Sequence, residues 1–514
     1  MVANGRSASI TKCGLLKKLT HLRIAKRIGH LHTYSAIKTI IPPTIGRRHV
    51  QCFIMCFGFS AAFAMRVNLS VAVVAMMDRK SANPNFPEYN WSEAIKARIL
   101  SSFFWGYICT QIPGGLLARR FGGKIMLLAS MTISSIMALL TPLGVNVGDW
   151  KLLCFMRVLQ GLSQGVCVPS IHTLLAKWAP VNERASLATY TYTGSQIGIV
   201  AMLASSGILA SSSMGWPSIF YIPGGLGLLW VLIWIIWGAN SPSECTKISV
   251  AERVLIETSL GDSLSENERK SNIAIPWKKI FTSRAFLVLM ATHVASSWCF
   301  WTLLTQIPTY MKTVLGKDIK SNALLSALPY TAMMILGVAC GPINDFIEKG
   351  NHLSPTVSRK LFNTIGQWVP VITLVGLAYM TREQADMAVI LLTITIGLGS
   401  TLHLGFQVNH IDLAPNFAGN LISLTNCAAN VSSIIAPLVV GHVVTDTSNP
   451  TQWRIIFFIA GAVSFVGNLL FVLFGTAKRQ PWNDEQLPEG HELKPLNVQP
   501  DDVPITKAES QLTV

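Results

Sequence analysis

The sequence predicts an all-α integral membrane protein of twelve transmembrane helices arranged in two six-helix halves. Three observations carry this. Half of the 514 residues are hydrophobic and only 13% are charged, where a soluble chain carries about 25%. The charges sit at the ends, in one central segment and in short connectors. Apolar stretches of about 20 residues, the length that crosses a bilayer as a helix, recur in two sets. The mean hydropathy of +0.44 agrees.

The first set falls at approximately 51–77, 98–118, 125–144, 150–177, 186–211 and 218–238. The second falls at approximately 285–311, 322–344, 361–381, 386–408, 417–444 and 453–476. The chain then divides into a basic cytoplasmic tail (1–49), an N-terminal six-helix half (50–238), a central cytoplasmic loop (239–283), a C-terminal half (284–477) and a cytoplasmic tail (478–514). That last tail is Pro-rich, polar and mildly acidic, and is expected to be disordered.

No Asp or Glu occurs between Met1 and Met77, and "GLLKKLTHLRIAKRIGHLH" alternates basic with apolar residues. Such a segment fits a transit peptide or a surface-lying helix. A tail that holds the N-terminus inside is the preferred reading. The first long apolar run starts near Gln51, so no cleavable signal peptide is expected.

The formal charge of +16 invites a nucleic-acid reading. The excess lies in the N-terminal tail and in connectors such as "ARRFGGK" (118–124) and "KWAPVNER" (177–184). The positive-inside bias of membrane proteins explains that placement better, so no nucleic-acid partner is expected. The 78–98 connector then faces the lumen or the outside. It carries Asn90-Trp91-Ser92, an N-glycosylation sequon on the side where glycosylation occurs. A second match at Asn68 lies inside a span and is discounted. The ten cysteines form no CxxC pair, so neither a metal site nor a disulfide framework is indicated.

Charged residues at bilayer depth cost about 2.5–3.5 kcal/mol and usually face a bundle interior or a watery cavity. Arg66 lies deep in the first span. Arg157, Gln160, Gly161 and Gln164 in the fourth share one helix face by their i, i+3, i+4, i+7 spacing. His172 lies about four turns along, roughly 60° further round. A polar seam between helices would use the same residue types. Two arginines shift the reading toward anion contact, because guanidinium is always charged and forks onto carboxylate or phosphate oxygens. Polar residues of "TYTYTGSQIG" (189–198), and Asn426 with Asn430, either line a cavity or bond neighbouring helices.

The halves echo each other. Gly115-Leu-Leu-Ala-Arg119-Arg120-Phe-Gly122-Gly123-Lys124 follows the second span, and Gly341-Pro-Ile-Asn-Asp345 follows the eighth. The helix count and these echoes resemble the major facilitator fold, a pair of parallel six-helix repeats. Several stretches are similar to one branch of that superfamily, the sodium–phosphate cotransporter, sialin and vesicular glutamate transporter family. They are "MRVNLSVAVVAM" (65–76), "SSFFWGYICTQIPGGLLARRFGGK" (101–124), "RVLQGLSQGV" (157–166), "GWPSIFYIPGG" (215–225), "LSALPY" (325–330) and "NHIDLAPNFAG" (409–419). Within it the chain most resembles members described as inorganic phosphate cotransporters, partly through "IGRRHVQCF" (45–53).

The resemblance implies a secondary active anion transporter working by alternating access. The substrate would be phosphate, with sodium dependence, or a small organic anion. Proton-coupled lysosomal or vesicular transport of a sialic-acid-like anion is the alternative, and a non-transporting membrane sensor is a rival of another class. The membrane would be the plasma membrane or a lysosomal or vesicular one. No cofactor is implied beyond a coupling Na+ or H+. No enzyme is expected, since HExxH, a P-loop and clustered His/Asp sets are absent from the sequence. The resemblance places Arg66 in the anion site, and Gly115, Arg119, Arg120, Gly122, Lys124, Asp345 and Asp412 in gating motifs.

Three departures matter. Many relatives carry Glu at the position of Gln164, and that carboxylate is implicated in proton coupling. Gln cannot titrate, so the sequence predicts weak proton drive and stronger drive by sodium or membrane potential, with His172 as the alternative proton carrier. Ser296 stands where the glutamate carriers have an arginine, which argues against that substrate. Asn416 replaces the basic residue usual after "NHIDLAP", which leaves Asp412 without its expected partner.

Overall fold

The computed structural model describes residues 45–78, 82–180, 183–271, 275–317, 319–349 and 353–483. Most of the N-terminal tail, 1–44, and of the C-terminal tail, 484–514, lies outside the described residues. Inside lipid every backbone polar group must be satisfied within the segment, which leaves the helix as the spanning form. The spans obey this. The first is Arg47–Met77, the second Glu93–Phe121, the fifth Arg184–Ala210 and the sixth Ser218–Trp237. In the other half the seventh is Arg284–Thr313, the eighth Ile319–Lys349, the ninth Pro355–Leu377, the eleventh Ala418–Val443 and the twelfth Pro450–Phe474.

Three spans depart from simple helices. The third and the start of the fourth run together as Gly123–Gln164, turned at Gly148 and Asp149, where Asp149 takes φ 49°. Its carboxylate accepts Trp91 Nε1–H at 2.8 Å. The fourth breaks after Gln164 and resumes as Cys167–Trp178. Pro169 has no N–H to offer the Gly165 carbonyl, and the break falls there. The tenth is Ala385–Gly397, a 3-10 segment Leu398–His403, then Phe406–Leu413.

Nine helical stretches among the described residues are long and apolar enough to cross a membrane on composition alone. One of them, Gly123–Trp178, contains two spans. The second and ninth spans fall short because both carry charged and amide side chains, Arg359 and Gln367 among them. With these, twelve spans cross in all.

The central connector is also helical. Val250–Ser271 packs Ile256 and Leu260 against Trp178 and Ala239. Glu252, 1% exposed, accepts the N–H of Arg47 at 2.9 Å and of Arg48 at 3.0 Å, capping the first span from another part of the chain. Arg48 reaches Glu252 at 3.1 Å and Glu183 at 2.6 Å. The hydrogen bond from Arg48 holds the Glu183 carboxyl below its ordinary range. Glu252→Ala orphans both N–H groups in a helix N-terminus that favours negative charge. It is expected to destabilise the protein by about 2 kcal/mol, seen as a lowered Tm in detergent. An unchanged Tm would show the latch to be idle.

Packing is asymmetric across the bundle. On the face where the first span ends, one apolar cluster joins both halves, with Val74 and Phe104 from one and Trp301 and Val440 from the other. The Lys312–Asp78 ion pair bridges the halves there. On the face where the first span begins, each half has its own separate cluster. The bundle is therefore sealed on the outer face and parted on the basic face, which the positive-inside rule assigns to the cytoplasm. Asn90 is exposed on the sealed side, two residues before the Ser92 cap of the second span. Asn90→Gln is expected to remove a glycosidase-sensitive mobility shift on gels. Identical mobility in every lane would withdraw that support for the orientation.

Candidate functional site

A cavity of about 320 Å³ lies between the halves. The first, second and fifth spans supply Arg66, Tyr107 and Gln196, and the seventh, ninth and eleventh supply His293, Gln367 and Asn430. Among the described residues, Arg66 is its only lining residue with a fixed charge. The guanidinium sits among four rings, 4.3 Å from the centroid of Tyr107, 4.7 Å from Phe63 and Phe103, and 5.8 Å from Trp301. Cation–π attraction stabilises such a desolvated arginine by about 2 kcal/mol or more. Aromatic faces leave its N–H edges unclaimed, and Arg66 Nε has no hydrogen-bond partner. Gln196 Oε1 and both amide atoms of Gln367 are likewise unpartnered. Buried polar groups left without partners are costly, and here they line a space that a polar solute can fill.

The fourth-span stripe behaves differently. Arg157, 3% exposed, donates to the Met65 carbonyl at 2.9 Å, the Arg66 carbonyl at 2.8 Å and Gln160 Oε1 at 2.7 Å. Gln160 Nε2 donates to the Ser134 carbonyl at 3.3 Å, and Gln164 Nε2 to the Ala62 carbonyl at 3.1 Å. None of the three lines the large cavity. Arg157 and Gln164 clamp the fourth span to the first-span backbone that carries Arg66, and Gln160 ties it to the third, so in this conformation the stripe is an interhelical seam. Gly161 lets the second span's Phe103 carbonyl approach on the other side. His172 is exposed, with its ring 5.2 Å from Tyr192, and does not line the cavity. Arg157→Lys keeps the charge but loses the planar fork. It is expected to lower both Tm and maximal transport rate; if neither moves, the clamp carries no load.

Gly161-Leu-Ser163-Gln-Gly165 fits the G-x-S-x-G pattern of serine hydrolases. The context excludes that reading. Ser163 is buried in a membrane helix and bonded to Ser134 at 2.7 Å and to the Gln160 carbonyl at 2.8 Å, with no strand-to-helix turn around it.

The gating motifs divide similarly. Asp412 is not left unpaired. Arg359 of the ninth span donates to it at 2.8 Å, from 53 residues earlier in the chain. Asn416 binds Asn483 instead, at 3.1 and 3.0 Å. Gly122 makes the turn after the second span at φ 86°. Gly115 has open space where a side chain would go. Arg120 is exposed over the Phe121 ring at 5.5 Å, and the Lys124 carbonyl accepts Trp234 Nε1–H at 3.1 Å. The side chains of Arg119 and Asp345 lie outside what is described.

Ser195 and Gln196 of the fifth-span stretch, and Asn426 with Asn430, line the cavity. Asn430 also bonds Gln111 across the halves at 3.2 Å. Sequence reasoning missed His293, Gln367 and His403. Each lies outside the polar stripes that spacing picks out, and only the docking of the other half shows which way it faces.

Two parted six-helix halves around a cavity with one fixed cation define a membrane carrier. The chain belongs to the Major Facilitator Superfamily, whose family model matches residues 55–437. It is a multi-pass membrane transporter and not an enzyme. It is 38% identical over 472 residues to a Drosophila melanogaster protein named "Putative inorganic phosphate cotransporter", covering 87% of this chain and 88% of the relative. It is 33% identical to human sialin, covering 86% of this chain and 92% of that one. Among solved structures, the inward-open xylose transporter XylE of E. coli superposes with a TM-score of 0.63 at 13% identity, over 82% of this chain and 95% of that one.

Proposed function

We propose that the protein is a secondary active transporter of a small anion, inorganic phosphate or a small organic acid, working by alternating access. The observation that carries this reading is Arg66. Among the described residues it is the one fixed charge in the cavity wall, its Nε lacks a partner, and no carboxylate lines the cavity to neutralise it. A cation held in that state favours an anion as its counter-charge. The cavity lies within the size range of small-molecule sites, and its aromatic rings suit the apolar part of an organic acid. Ser296 in its wall supplies a hydroxyl where the glutamate carriers have a second cation, which favours a singly anchored anion.

The names of the relatives point the same way, toward phosphate and the sialin group. The test is uptake of labelled phosphate, sialic acid and urate into proteoliposomes, with sodium and proton gradients imposed separately. Saturable uptake of one of them, abolished by Arg66→Ala, is expected. Absence of saturable uptake for all three would overturn the reading and favour a sensor that kept the fold.

A further inference from the structure

The cavity's C-terminal wall holds a hydrogen-bonded chain that ends in a free imidazole nitrogen. His410 Nδ1 lies 2.8 Å from the Gln407 carbonyl, which can only accept, so this nitrogen carries a proton. His410 Nε2 of a neutral ring is then a lone pair, and it lies 2.8 Å from Thr425 Oγ1. The hydroxyl must point its hydrogen at that nitrogen, in preference to the Ile422 carbonyl at 3.2 Å. Thr425 then offers a lone pair to His293 Nδ1, 3.0 Å away, so that nitrogen donates. Each step fixes the next tautomer. The chain leaves His293 Nε2 as an acceptor, with no partner among the described residues, on a half-buried ring that lines the cavity.

We propose that His293 is the group that binds the coupling proton, with Thr425 and His410 holding its ring in the one tautomer that can accept it. This rests on the anion-transport reading and names its coupling residue. The ionisable groups facing His293 are Arg66 from the first span, Tyr107 from the second, and His403 and His410 from the tenth, with Cys299 on its own helix. The facing residues Gln367, Thr425, Asn430 and Ser464 of the ninth, eleventh and twelfth spans carry no charge. His403 Nδ1 is bonded to Gln407 Oε1 at 2.9 Å. Arg66 already places one positive charge in this cavity, and none of the lining residues is a carboxylate that could balance a second. An anion in the cavity supplies that counter-charge and accepts the new N–H. Proton and anion therefore bind with mutual gain, and each raises affinity for the other by the same factor. In the outward-open state a solvent proton bonds to the Nε2 lone pair. In the parted state seen here it leaves to cytoplasmic water, and the ring returns to the neutral form that the chain holds.

This departs from the expectation drawn from Gln164, which foresaw weak proton drive. It also moves the carrier from His172 to a ring in the opposite half. His293→Asn retains an amide donor for Thr425 but cannot take the proton. In proteoliposomes containing the full chain, wild-type uptake of labelled phosphate, sialic acid or urate is expected to rise on the order of tenfold under an inward proton gradient. In His293→Asn that acceleration should vanish, while an unchanged Tm in detergent shows the variant to be folded. Thr425→Val should weaken the acceleration, and Thr425→Ser should restore it. Wild-type uptake indifferent to the proton gradient, or acceleration undiminished in both His293→Asn and Thr425→Val, would overturn the His293 assignment alone. Absence of uptake for all three anions in the wild type would instead sink the transport reading, and this assignment with it.

Discussion

Arg66→Lys is expected to lower the kcat/KM of anion uptake about ten- to hundredfold, most of it as a raised KM. A hydrogen bond to a charged group contributes about 1.5–3 kcal/mol, and about 1.4 kcal/mol is tenfold in affinity. Lysine keeps the charge and loses two things. One is the planar face that lies against Tyr107, Phe63 and Phe103. The other is the edge of parallel donors that a carboxylate or phosphate takes bidentately. The strongly hydrated ammonium would also sit badly in an aromatic box. Uptake measured over a range of anion concentrations separates KM from maximal rate. Lysine with wild-type KM would mean that the guanidinium is a packing element and that the anion binds elsewhere.

That experiment separates two arginines that look alike in the sequence. Both are buried cations in apolar spans, and residue type and depth give both the same claim to anion contact. The structure sets them in different surroundings. The Nε of each is unpartnered, but Arg157 places Nη1 and Nη2 on first-span carbonyls and lies outside the cavity between the halves, while Arg66 lines it. Periodicity reports which residues share a face of one helix. It does not report whether that face meets a neighbouring backbone or an open cavity. The helix count, the fold and the basic face were legible because lipid forces long apolar helices and charge bias orients them. Asp412 was read as unpaired because the motif places its partner four residues on. Its partner is Arg359, which no local pattern can assign. His293 was invisible for the same reason, since its bond to Thr425 joins positions 132 residues apart.

Gln164 illustrates the same limit from the side of chemistry. Its amide donates to the Ala62 carbonyl. A glutamate there could make that bond only as a protonated acid. The position thus couples to the first-span backbone in either form, and the neutral amide fixes it permanently in the bonded state. This position therefore offers no site for a proton, and the proposed carrier, His293, lies in the other half.

Gly441→Leu is expected to slow net transport by trapping the outer face open. The second and eleventh spans meet at the sealed end, and a Cβ at Gly441 would collide with Ala97 and lie 2.8 Å from the Glu93 carbonyl oxygen. Backbone cannot move aside as a flexible side chain can. Overpacking of this kind costs about 1–3 kcal/mol, charged only to the state in which these two spans touch. The ratio of outward-open to inward-open molecules should rise about five- to hundredfold. Between Arg66 and the outer face the structure leaves a void of only about 20 Å³, lined by Leu100, Phe104 and Thr305 among others. It has room for at most about one water. A cysteine at Thr305, 6% exposed here, should be sluggish toward an impermeant thiol reagent added outside a cysteine-free protein. It should react much faster once Gly441→Leu is added. Ala at the same position should fall between the two, because its smaller side chain asks for less displacement. Equal labelling in all three proteins, with transport unimpaired, would show that the outer seal does not depend on this contact. The Lys312–Asp78 pair and the apolar cluster beneath it would then have to hold the face shut alone.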